Sequence, residues 1–400
     1  MLDDIVARCP HLPDSIDHAA NSMKVRRTEL DGVRAIAISM VLAFHCFRFP
    51  ITGHSLLSYA SRIPFGGWGG VDVFFALSGF LVGGILLDGR GQPKLLRIFL
   101  IRRAVRILPL YFVVLATFYI TELLLTQSKW LYSGAAPWWS YVTLTQNFAT
   151  PILGSDAFYL GPTWSLAVEA QIYLMLGFTL IRVRSRSVMP MMLAGIVLAE
   201  LCRVAFLASG HGIFGYFVVP ARIDGACCGV IAAMAVRSAR GLDFLRKWRT
   251  QIWLMIMALF GGAEALSMIG QSIGSLGAGL YTHLALAVAS SFAIALLISN
   301  PQGGINRMLR FKPLVWLGSV SYGVYLIHIP AIAISHAVIG RHNTILDSWS
   351  AAAASATGIV ATICLAWLSF RHFETPLNNR AHRLTKSAPS ANLFHKTELA

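Results

Sequence analysis

The sequence predicts an all-α integral membrane protein with about ten transmembrane helices. Of its 400 residues, 56% are hydrophobic and only 13% are charged, and the mean hydropathy is +0.63. Soluble globular domains carry about 25% charged residues, so this composition excludes an ordinary soluble domain. Runs of roughly 20 apolar residues, the length that crosses a bilayer core, mark the candidate spans. They cover residues 33–51, 69–87, 108–127, 160–181, 188–208, 214–236, 251–270, 278–299, 314–338 and 350–370.

Charge between the spans predicts the orientation. Ten spans place both termini on one side of the membrane, and with the N-terminus inside, the cytoplasmic segments hold nearly all the lysine and arginine. This asymmetry follows the positive-inside rule and predicts an N-in/C-in topology. The net charge of +15 does not indicate a nucleic-acid partner, because the basic residues alternate with apolar runs instead of covering one exposed face.

The chain divides into three parts. We expect a cytoplasmic N-terminal segment at 1–29, one transmembrane domain at 30–376 and a disordered, polar cytoplasmic tail at 377–400. The acidic start is not followed by a short apolar core with a cleavage site, so we expect the N-terminal segment to stay on the protein. The six cysteines form no CxxC pair, and we predict no metal or redox site.

The first span carries an arginine and a histidine on one face. Arg34 and His45 are eleven positions apart, which at about 100° per residue returns a helix almost to its starting angle with a rise of ~16 Å. Arg34 at the membrane edge can bind an anion. His45 would lie near the bilayer centre, where an ionisable group indicates a functional site. Imidazole, with an ordinary pKa of about 6.5, suits removal of a proton from a hydroxyl. The alternative is a structural histidine satisfied by a neighbouring helix.

Three further charged residues lie at the start of a span or just before one. Asp72 lies near the start of the second span, where it is either a helix-start carboxylate facing water or a contact for a hydroxyl substrate. Arg103 and Arg106 are three residues apart just before the third span, and therefore share a helical face. They either grip phosphate groups or form a positive-inside cluster paired with lipid phosphate.

The fourth and ninth spans add polar side chains at membrane depth. Glu169 needs a partner there, for which a histidine or an arginine is the candidate. Tyr325 and His328 lie in a hydroxyl-rich part of the ninth span.

The fifth and sixth spans carry charges close enough in sequence to neutralise each other. Glu200 and Arg203 are three residues apart, and Arg222 and Asp224 are two apart. We interpret both as local structural pairs, most clearly Glu200 with Arg203.

Taken together and in order, five segments resemble the membrane acyltransferase family 3. They are residues 30–45, 69–81, 99–111, 162–174 and 319–328. Members of this family move acyl groups, often from acetyl-CoA, onto hydroxyls of sugars, lipids and secondary metabolites. The resemblance runs from about residue 30 to 376. One departure is visible, because Ala170 stands where many relatives carry a second acidic residue after Glu169.

The resemblance implies a role for several residues. His45 would be the catalytic base, paired with Arg34, and Glu169 would be a third catalytic residue. Arg103 and Arg106 would contact the CoA nucleotide. Four further positions are candidate substrate-binding residues: Asp72, Arg222, Tyr325 and His328.

The implied function is an O-acyltransferase of a bacterial-type plasma membrane, the cell inner membrane. It would move an acetyl group from cytoplasmic acyl-CoA, a co-substrate and not a bound cofactor, to a hydroxyl of a glycan or glycolipid, without a metal. The alternative is a transporter of an anionic sugar or metabolite, with Arg222, Asp224, Glu169 and His45 as its relay. The sequence shows no internal repeat and predicts no broken helix pair, which disfavours a transporter.

Overall fold

The structure, a computed structural model, describes residues 27–47, 65–124, 129–154, 159–273 and 278–385, and these residues form helices and connecting turns with no β-strand. The twelve longer helices are labelled α1 to α12 in chain order. They are α1 Thr28–Phe47, α2 Gly70–Asp88, α3 Leu95–Leu124, α4 Trp164–Arg182, α5 Ser185–Ala208, α6 Asp224–Ala235, α7 Ala239–Lys247, α8 Arg249–Ile273, α9 Ala278–Ser299, α10 Ser321–Val338, α11 Trp349–Ser369 and α12 Thr375–Thr385. The all-α prediction is confirmed.

Shorter helical turns connect these helices. They are Phe65–Gly69, Lys129–Tyr132, Trp138–Val142, Gln146–Leu153, Gly161–Thr163, Phe214–Phe217, Val219–Arg222, Gly304–Leu309, Lys312–Ser319 and a π-helical turn at Phe370–Glu374.

Several helices are long and apolar enough to cross a membrane. Over the described residues there are seven, or eight if the bent pair α6 and α7 is one span. The first predicted span is occupied by α1, a helix of 20 residues. The chain is therefore a multi-pass membrane protein, while the count of about ten and the N-in/C-in orientation stay predictions.

The third helix begins earlier than the sequence predicts. We expected a cytoplasmic segment up to residue 107, but α3 starts at Leu95 and continues for 30 residues through Pro109. Its early turns bury Phe99 and Ile107, so packing continues the helix through a stretch whose arginines lower the hydropathy. Arg103 and Arg106 consequently lie on a membrane helix.

The sixth predicted span is broken. Residues 214–236 form Phe214–Phe217, Val219–Arg222 and α6, with Val218 in an extended conformation between the first two. Pro220 lies in the first turn of the second piece, where proline is tolerated because its missing N–H has no helical partner. The expectation that the spans contain no broken helix is therefore wrong here.

The C-terminal helix α12 occupies part of the predicted disordered tail. Its residues Ala381, His382 and Thr385 are buried, and it lies against α3. Arg102 Nε donates to Thr385 Oγ1 at 3.0 Å. Tertiary packing thus orders a polar segment that composition alone would leave unfolded. The remainder of the predicted tail, 386–400, lies outside the described residues, as does most of the segment 1–29.

Small residues bring α2 and α6 into close contact. A Cβ added at Gly79 would lie 2.2 Å from the Ala226 carbonyl oxygen, and one at Gly229 would lie 2.1 Å from that of Ala76. Such approach is available only to glycine and is a common way for membrane helices to associate. It fixes α2 in the middle of the helix bundle, where Ser78 and Asp72 can face other helices.

Candidate active site

A cavity lies between α1, α2, α3, α4 and α10. Its polar lining consists of Arg34, Ser78, Arg103, Arg106, Ser165, Glu169, Tyr173, Ser321, Tyr322 and Tyr325. We call it the arginine cavity. The fold therefore brings residues from all five recognised sequence segments to one cavity, with Arg34 as the contribution of the first.

Three guanidinium groups line this cavity. Arg34 Nη1 donates to Asp31 Oδ1 at 2.5 Å, within the first turns of α1. Arg103 is 9% exposed, and its guanidinium carbon lies 5.9 Å from the Phe99 ring centre and 5.5 Å from that of Tyr173. Rings in this position stabilise a desolvated cation. Together with Arg106, these groups make the cavity suited to an anionic ligand.

Glu169 is held by hydroxyl groups. Its Oε1 accepts hydrogen bonds from Ser78 Oγ at 2.5 Å and from the Tyr173 hydroxyl. These partners are hydroxyls and not the histidine or arginine that the sequence led us to expect, and Arg103 stacks on the same Tyr173 ring. Hydrogen bonds from hydroxyls orient the carboxylate on the cavity wall without neutralising it.

Tyr325 is fixed at another part of the wall. Its hydroxyl donates to the Pro162 carbonyl oxygen at 2.9 Å and lies 2.5 Å from Ser165 Oγ. These bonds join α10 to the start of α4. One turn earlier on α10, the Tyr322 hydroxyl donates to the Ile107 carbonyl oxygen at 2.6 Å.

His45 of α1 and His328 of α10 lie edge to face, next to Tyr325. The two imidazole centres are 4.9 Å apart, and the ring of Tyr325 is 5.9 Å from that of His328. His328 is fully buried. His45 does not line the arginine cavity. The ring of His328 lies beside that of His45, and the ring of Tyr325, which lines the cavity, lies beside that of His328.

The hydrogen bonds of the two histidines indicate which ring nitrogen carries the proton. His45 Nδ1 is 2.9 Å from the Val41 carbonyl oxygen, and His328 Nδ1 is 2.7 Å from that of Tyr325. Because a carbonyl oxygen only accepts, we assign a proton to each Nδ1. His328 Nε2, 3.4 Å from His45 Nδ1, then acts as an acceptor. In a neutral His45 the basic lone pair is consequently on Nε2.

Asp72 and Arg222 do not reach this cavity. Arg222 Nη2 donates to Asp72 Oδ1 at 2.8 Å, and His283 Nδ1 lies 3.2 Å from Asp72 Oδ2. Asp72 and Arg222 are 2% and 1% exposed. The expectation of a carboxylate facing water is wrong for Asp72, because both of its oxygens are engaged inside the protein.

The remaining charges of this region pair differently from the sequence-based expectation. Arg203 Nη2 bonds to Glu200 Oε1 and, at 2.8 Å, to Asp224 Oδ2. The Glu200–Arg203 pair is therefore confirmed, whereas the Arg222–Asp224 pair is wrong. We use the name ion-pair cluster for Asp72, Arg222, His283, Arg203, Glu200 and Asp224.

An aromatic wall separates the ion-pair cluster from the arginine cavity. The Arg222 guanidinium carbon lies 5.4 Å from the ring centre of Phe75, 5.9 Å from that of Trp164 and 5.6 Å from that of Tyr216. Phe75 also lines the arginine cavity. Phe75 thus contacts both the Arg222 guanidinium and the arginine cavity.

Sequence reasoning missed three residues of these regions. Ser78, Tyr173 and His283 are not among the candidate site residues that the sequence indicates. Tyr173 follows Glu169 by four residues, a spacing that places both on one helical face and was available from the sequence. His283 has no comparable local signal, because its partner Asp72 is 211 positions away.

Comparison with known proteins places the chain in a family. The family model described as "Acyltransferase domain" matches residues 27–371. Two relatives are the peptidoglycan O-acetyltransferase OatA of Listeria monocytogenes, 28% identical over 368 residues, and the putative peptidoglycan O-acetyltransferase YrhL of Bacillus subtilis, 26% identical over 381 residues. A putative O-acetyltransferase of Staphylococcus aureus is 25% identical over 399 residues.

These alignments cover 87%, 88% and 90% of this chain, but only 55%, 55% and 59% of the relatives. The chain thus spans little more than half the length of the curated relatives it matches. No solved structure matches the chain. Since the family model covers nearly all of the described bundle, the chain belongs to the membrane acyltransferase family 3.

Proposed function

We propose that this protein is an integral membrane O-acyltransferase that moves an acetyl group from cytoplasmic acetyl-CoA to a hydroxyl group of a glycan. The observation that carries the proposal is the arginine cavity, which joins three guanidinium groups to a fixed carboxylate beside a histidine pair. The names of the relatives support acetyl as the group transferred and a cell-wall or surface glycan as the acceptor. A location in the bacterial inner membrane belongs to the same proposal.

Arg103 and Arg106 hold the donor. Their guanidinium groups suit bidentate contacts to phosphate, and both line the arginine cavity. The thioester arm of the donor would extend along the cavity toward Tyr325 and the histidines. Because phosphate contacts are alike in the ground and transition states, they lower the donor KM more than they raise kcat.

His45 acts as the general base. Its Nε2 removes the proton from the acceptor hydroxyl while the hydroxyl oxygen attacks the thioester carbonyl carbon. The tetrahedral intermediate collapses, the carbon–sulfur bond breaks, and the imidazolium returns the proton to the leaving thiolate. The products are the O-acetyl ester and free CoA thiol.

The neighbours of His45 stabilise the charges of this reaction. In the imidazolium the Nδ1–H still donates to the Val41 carbonyl oxygen and faces His328 Nε2. Tyr325 is the candidate donor to the oxyanion, in exchange for the bond that its hydroxyl donates to the Pro162 carbonyl oxygen. Arg34 lies about 16 Å from His45 along α1, at the end of the cavity where Arg103 and Arg106 hold the donor. Glu169, through Ser78 and Tyr173, holds the wall against which Arg103 stacks.

The transporter alternative loses its proposed relay. Arg222 and Asp224 are paired with Asp72 and Arg203 in the ion-pair cluster and do not line the arginine cavity with Glu169. A broken helix near residue 218 is typical of transporters, but the charges beside it are neutralised by neighbours.

Purified protein in lipid nanodiscs tests the proposal. With acetyl-CoA and glycan fragments, free CoA thiol should appear only when an acceptor is present, and mass spectrometry should find acetyl on an acceptor hydroxyl. Mass spectrometry of surface glycans from cells with and without the protein would identify the acceptor. Uptake of a labelled sugar into proteoliposomes without thioester consumption would instead establish a transporter.

A further inference from the structure

A cavity where α8 meets α9 shares no lining residue with the arginine cavity. It has a volume of about 240 Å³ and is lined by Arg249 and Trp253 of α8, by Leu296 and Leu297 of α9, and by residues of the segment 300–306. One water molecule needs only about 10–15 Å³ of such volume, so the space is large enough for part of an organic ligand. We call it the α8–α9 cavity.

The α8–α9 cavity lies at a boundary of the membrane. Helix α8 begins at Arg249 and α9 ends at Ser299, and the two helices pack against each other, so the start of one meets the end of the other. The N-in topology predicts that this end of the bundle is cytoplasmic. Trp253 is one turn into α8, and tryptophan is enriched at the headgroup level of a bilayer.

The wall of the α8–α9 cavity is mostly apolar and is fixed by the segment after α9. Leu296 and Leu297 are buried. Asn306 Nδ2 donates to the carbonyl oxygens of Leu297 at 2.8 Å and of Asn300 at 2.7 Å, which ties this segment to the last turn of α9. Such a wall disfavours a hydrated ion or a sugar, because polar groups lose their water there. It suits a hydrocarbon chain.

Arg249 places a cation where the α8–α9 cavity meets its surroundings. The residue lines the cavity and is also exposed. No carboxylate within the described part of the chain forms an ion pair with it. A guanidinium group at a membrane surface binds phosphate oxygens through two N–H donors.

The preceding helix α7 brings further basic residues to the same surface. The chain bends by 101° between α6 and α7, so α7 lies along the membrane surface when α6 crosses the membrane. Leu245 of α7 is buried, whereas Arg246 and Lys247 are exposed. This is the pattern of an amphipathic helix in the membrane interface. Basic residues in such a position attract anionic lipids of the cytoplasmic leaflet.

We propose that the α8–α9 cavity binds one anionic phospholipid, with an acyl chain in the cavity and the phosphate group at Arg249. A free phosphate compound would use the guanidinium group but not the apolar wall. A zwitterionic lipid would use the wall, but its own cation balances the phosphate charge. An anionic phospholipid matches both parts of the site, and it is the ligand class that basic pockets between membrane helices recognise on the cytoplasmic side.

Lipid titration of the purified protein tests the site. In detergent, native mass spectrometry should show one phosphatidylglycerol bound to the wild type at a concentration about 10-fold lower than phosphatidylcholine requires. Glycerol phosphate, which has the headgroup charge without the chains, should not bind at those concentrations. Phosphatidylglycerol should also raise the melting temperature, because it binds the folded protein.

A substitution that fills the cavity tests the place of the acyl chain. A Cβ added at Gly304, which lines the cavity, would have no other atom within 4 Å apart from its chain neighbours and its own helix. Gly304→Leu should therefore occupy the cavity without a clash and raise the Kd for phosphatidylglycerol about 10-fold or more, although Arg249 is intact. The matched control is Gly262→Leu on α8, which is equally free of clashes and does not line the cavity. It should leave the Kd within about twofold.

A second substitution tests the headgroup. Arg249→Gln should raise the Kd for phosphatidylglycerol about 10-fold and change that for phosphatidylcholine little, because only the anionic lipid loses a charge partner. The matched control is Arg186→Gln, which removes the same charge at an exposed position near the start of α5. It should leave both Kd values within about twofold.

Three outcomes would overturn the inference. Equal affinity of the wild type for the two lipids, or equal weakening by Arg249→Gln and Arg186→Gln, would show that Arg249 does not select the headgroup. Wild-type lipid binding by Gly304→Leu would show that no acyl chain enters the cavity. If Gly304→Leu instead converts a dimer to a monomer with unchanged lipid binding, a second copy of this chain covers the cavity.

Discussion

The arginine cavity and the ion-pair cluster contain the same kinds of residue, but their charges are arranged in opposite ways. In the ion-pair cluster each arginine has a carboxylate within 2.8 Å. In the arginine cavity, Arg34 is paired with Asp31, while Arg103 and Arg106 line the wall together with Glu169, whose carboxylate accepts hydrogen bonds from hydroxyls.

The contrast between the two regions shows how structural charges can be distinguished from functional charges inside a membrane protein. Burial does not separate the two regions, since Arg222 is 1% exposed and Arg103 is 9% exposed. What separates them is that Arg203 and Arg222 pair with carboxylates of neighbouring helices, whereas Arg103 and Arg106 line a cavity. Removal of one partner from a neutralised cluster destabilises the protein, whereas cations that line a cavity can bind an anionic ligand.

Replacement of His45 should have the largest effect. His45→Ala and His45→Gln should both reduce acetyl transfer by about 100-fold or more, the usual effect of losing a general base. Glutamine keeps hydrogen bonding but has no basic nitrogen. Initial rates of acetylated product, normalised to the amount of folded protein in nanodiscs, measure the loss.

Insertion of these variants should not change, because removal of a polar group from a membrane helix does not disfavour insertion. A His45→Gln protein with nearly wild-type turnover would show that His45 is a structural hydrogen-bonding residue. The search for a base would then move to Glu169, which lines the arginine cavity, or to His328.

Substitutions in the ion-pair cluster should change the stability of the protein and not its turnover. Asp72→Asn leaves Arg222 buried without its carboxylate and should destabilise the protein by about 3–5 kcal/mol. Turnover per folded molecule should stay within about twofold, because the aromatic layer that includes Phe75 separates Asp72 from the cavity. Thermal unfolding in detergent and rate measurements on the folded fraction give the two quantities.

The double variant Asp72→Asn/Arg222→Met provides the matched control. Methionine fills irregular space between rings, and removal of both charges should recover much of the lost stability, as replacement of buried ion pairs does elsewhere. If Asp72→Asn melts like the wild type yet abolishes turnover, the ion-pair cluster belongs to the catalytic site and the contrast between the regions fails.

The sequence predicts which residues belong to these regions better than it predicts which of those residues form ion pairs. The spacing of Arg103 and Arg106, and the order of the recognised segments, predict which side chains matter, and the structure brings Arg34, Arg103, Arg106, Glu169 and Tyr325 to one cavity. Sequence spacing predicts the wrong ion pair where the true partner lies on a helix distant in the sequence. Arg222 pairs with Asp72, 150 positions away, although Asp224 is only two residues from it, because side chains two residues apart on helical backbone do not face each other.

Local hydropathy also misjudged two segments that pack against each other, the early turns of α3 and the helix α12. The early turns of α3 contain Arg102, Arg103 and Arg106, and α12 is polar. Each has low hydropathy alone, and each is helical because it packs on the other. Mutual burial between segments more than 280 positions apart is a tertiary effect that no window along the chain can detect.

Replacement of Glu200 should have the smallest effect on stability, and it allows the two carboxylate partners of Arg203 to be compared. Its side chain is 21% exposed, and its partner Arg203 also bonds to the buried Asp224 at 2.8 Å and to the Ala221 carbonyl oxygen. Glu200→Gln therefore leaves Arg203 neutralised and should cost at most about 1 kcal/mol, the usual value for a partly exposed pair.

Asp224→Asn is the comparison variant for Glu200→Gln, since it removes the fully buried partner of the same arginine. It should lower the melting temperature clearly more than Glu200→Gln does in the same detergent and salt. Equal losses in the two variants would contradict the assignment of Asp224 as the principal partner of Arg203. In that case the neutralisation of the cluster would depend on Glu200, and burial alone would not rank its carboxylates.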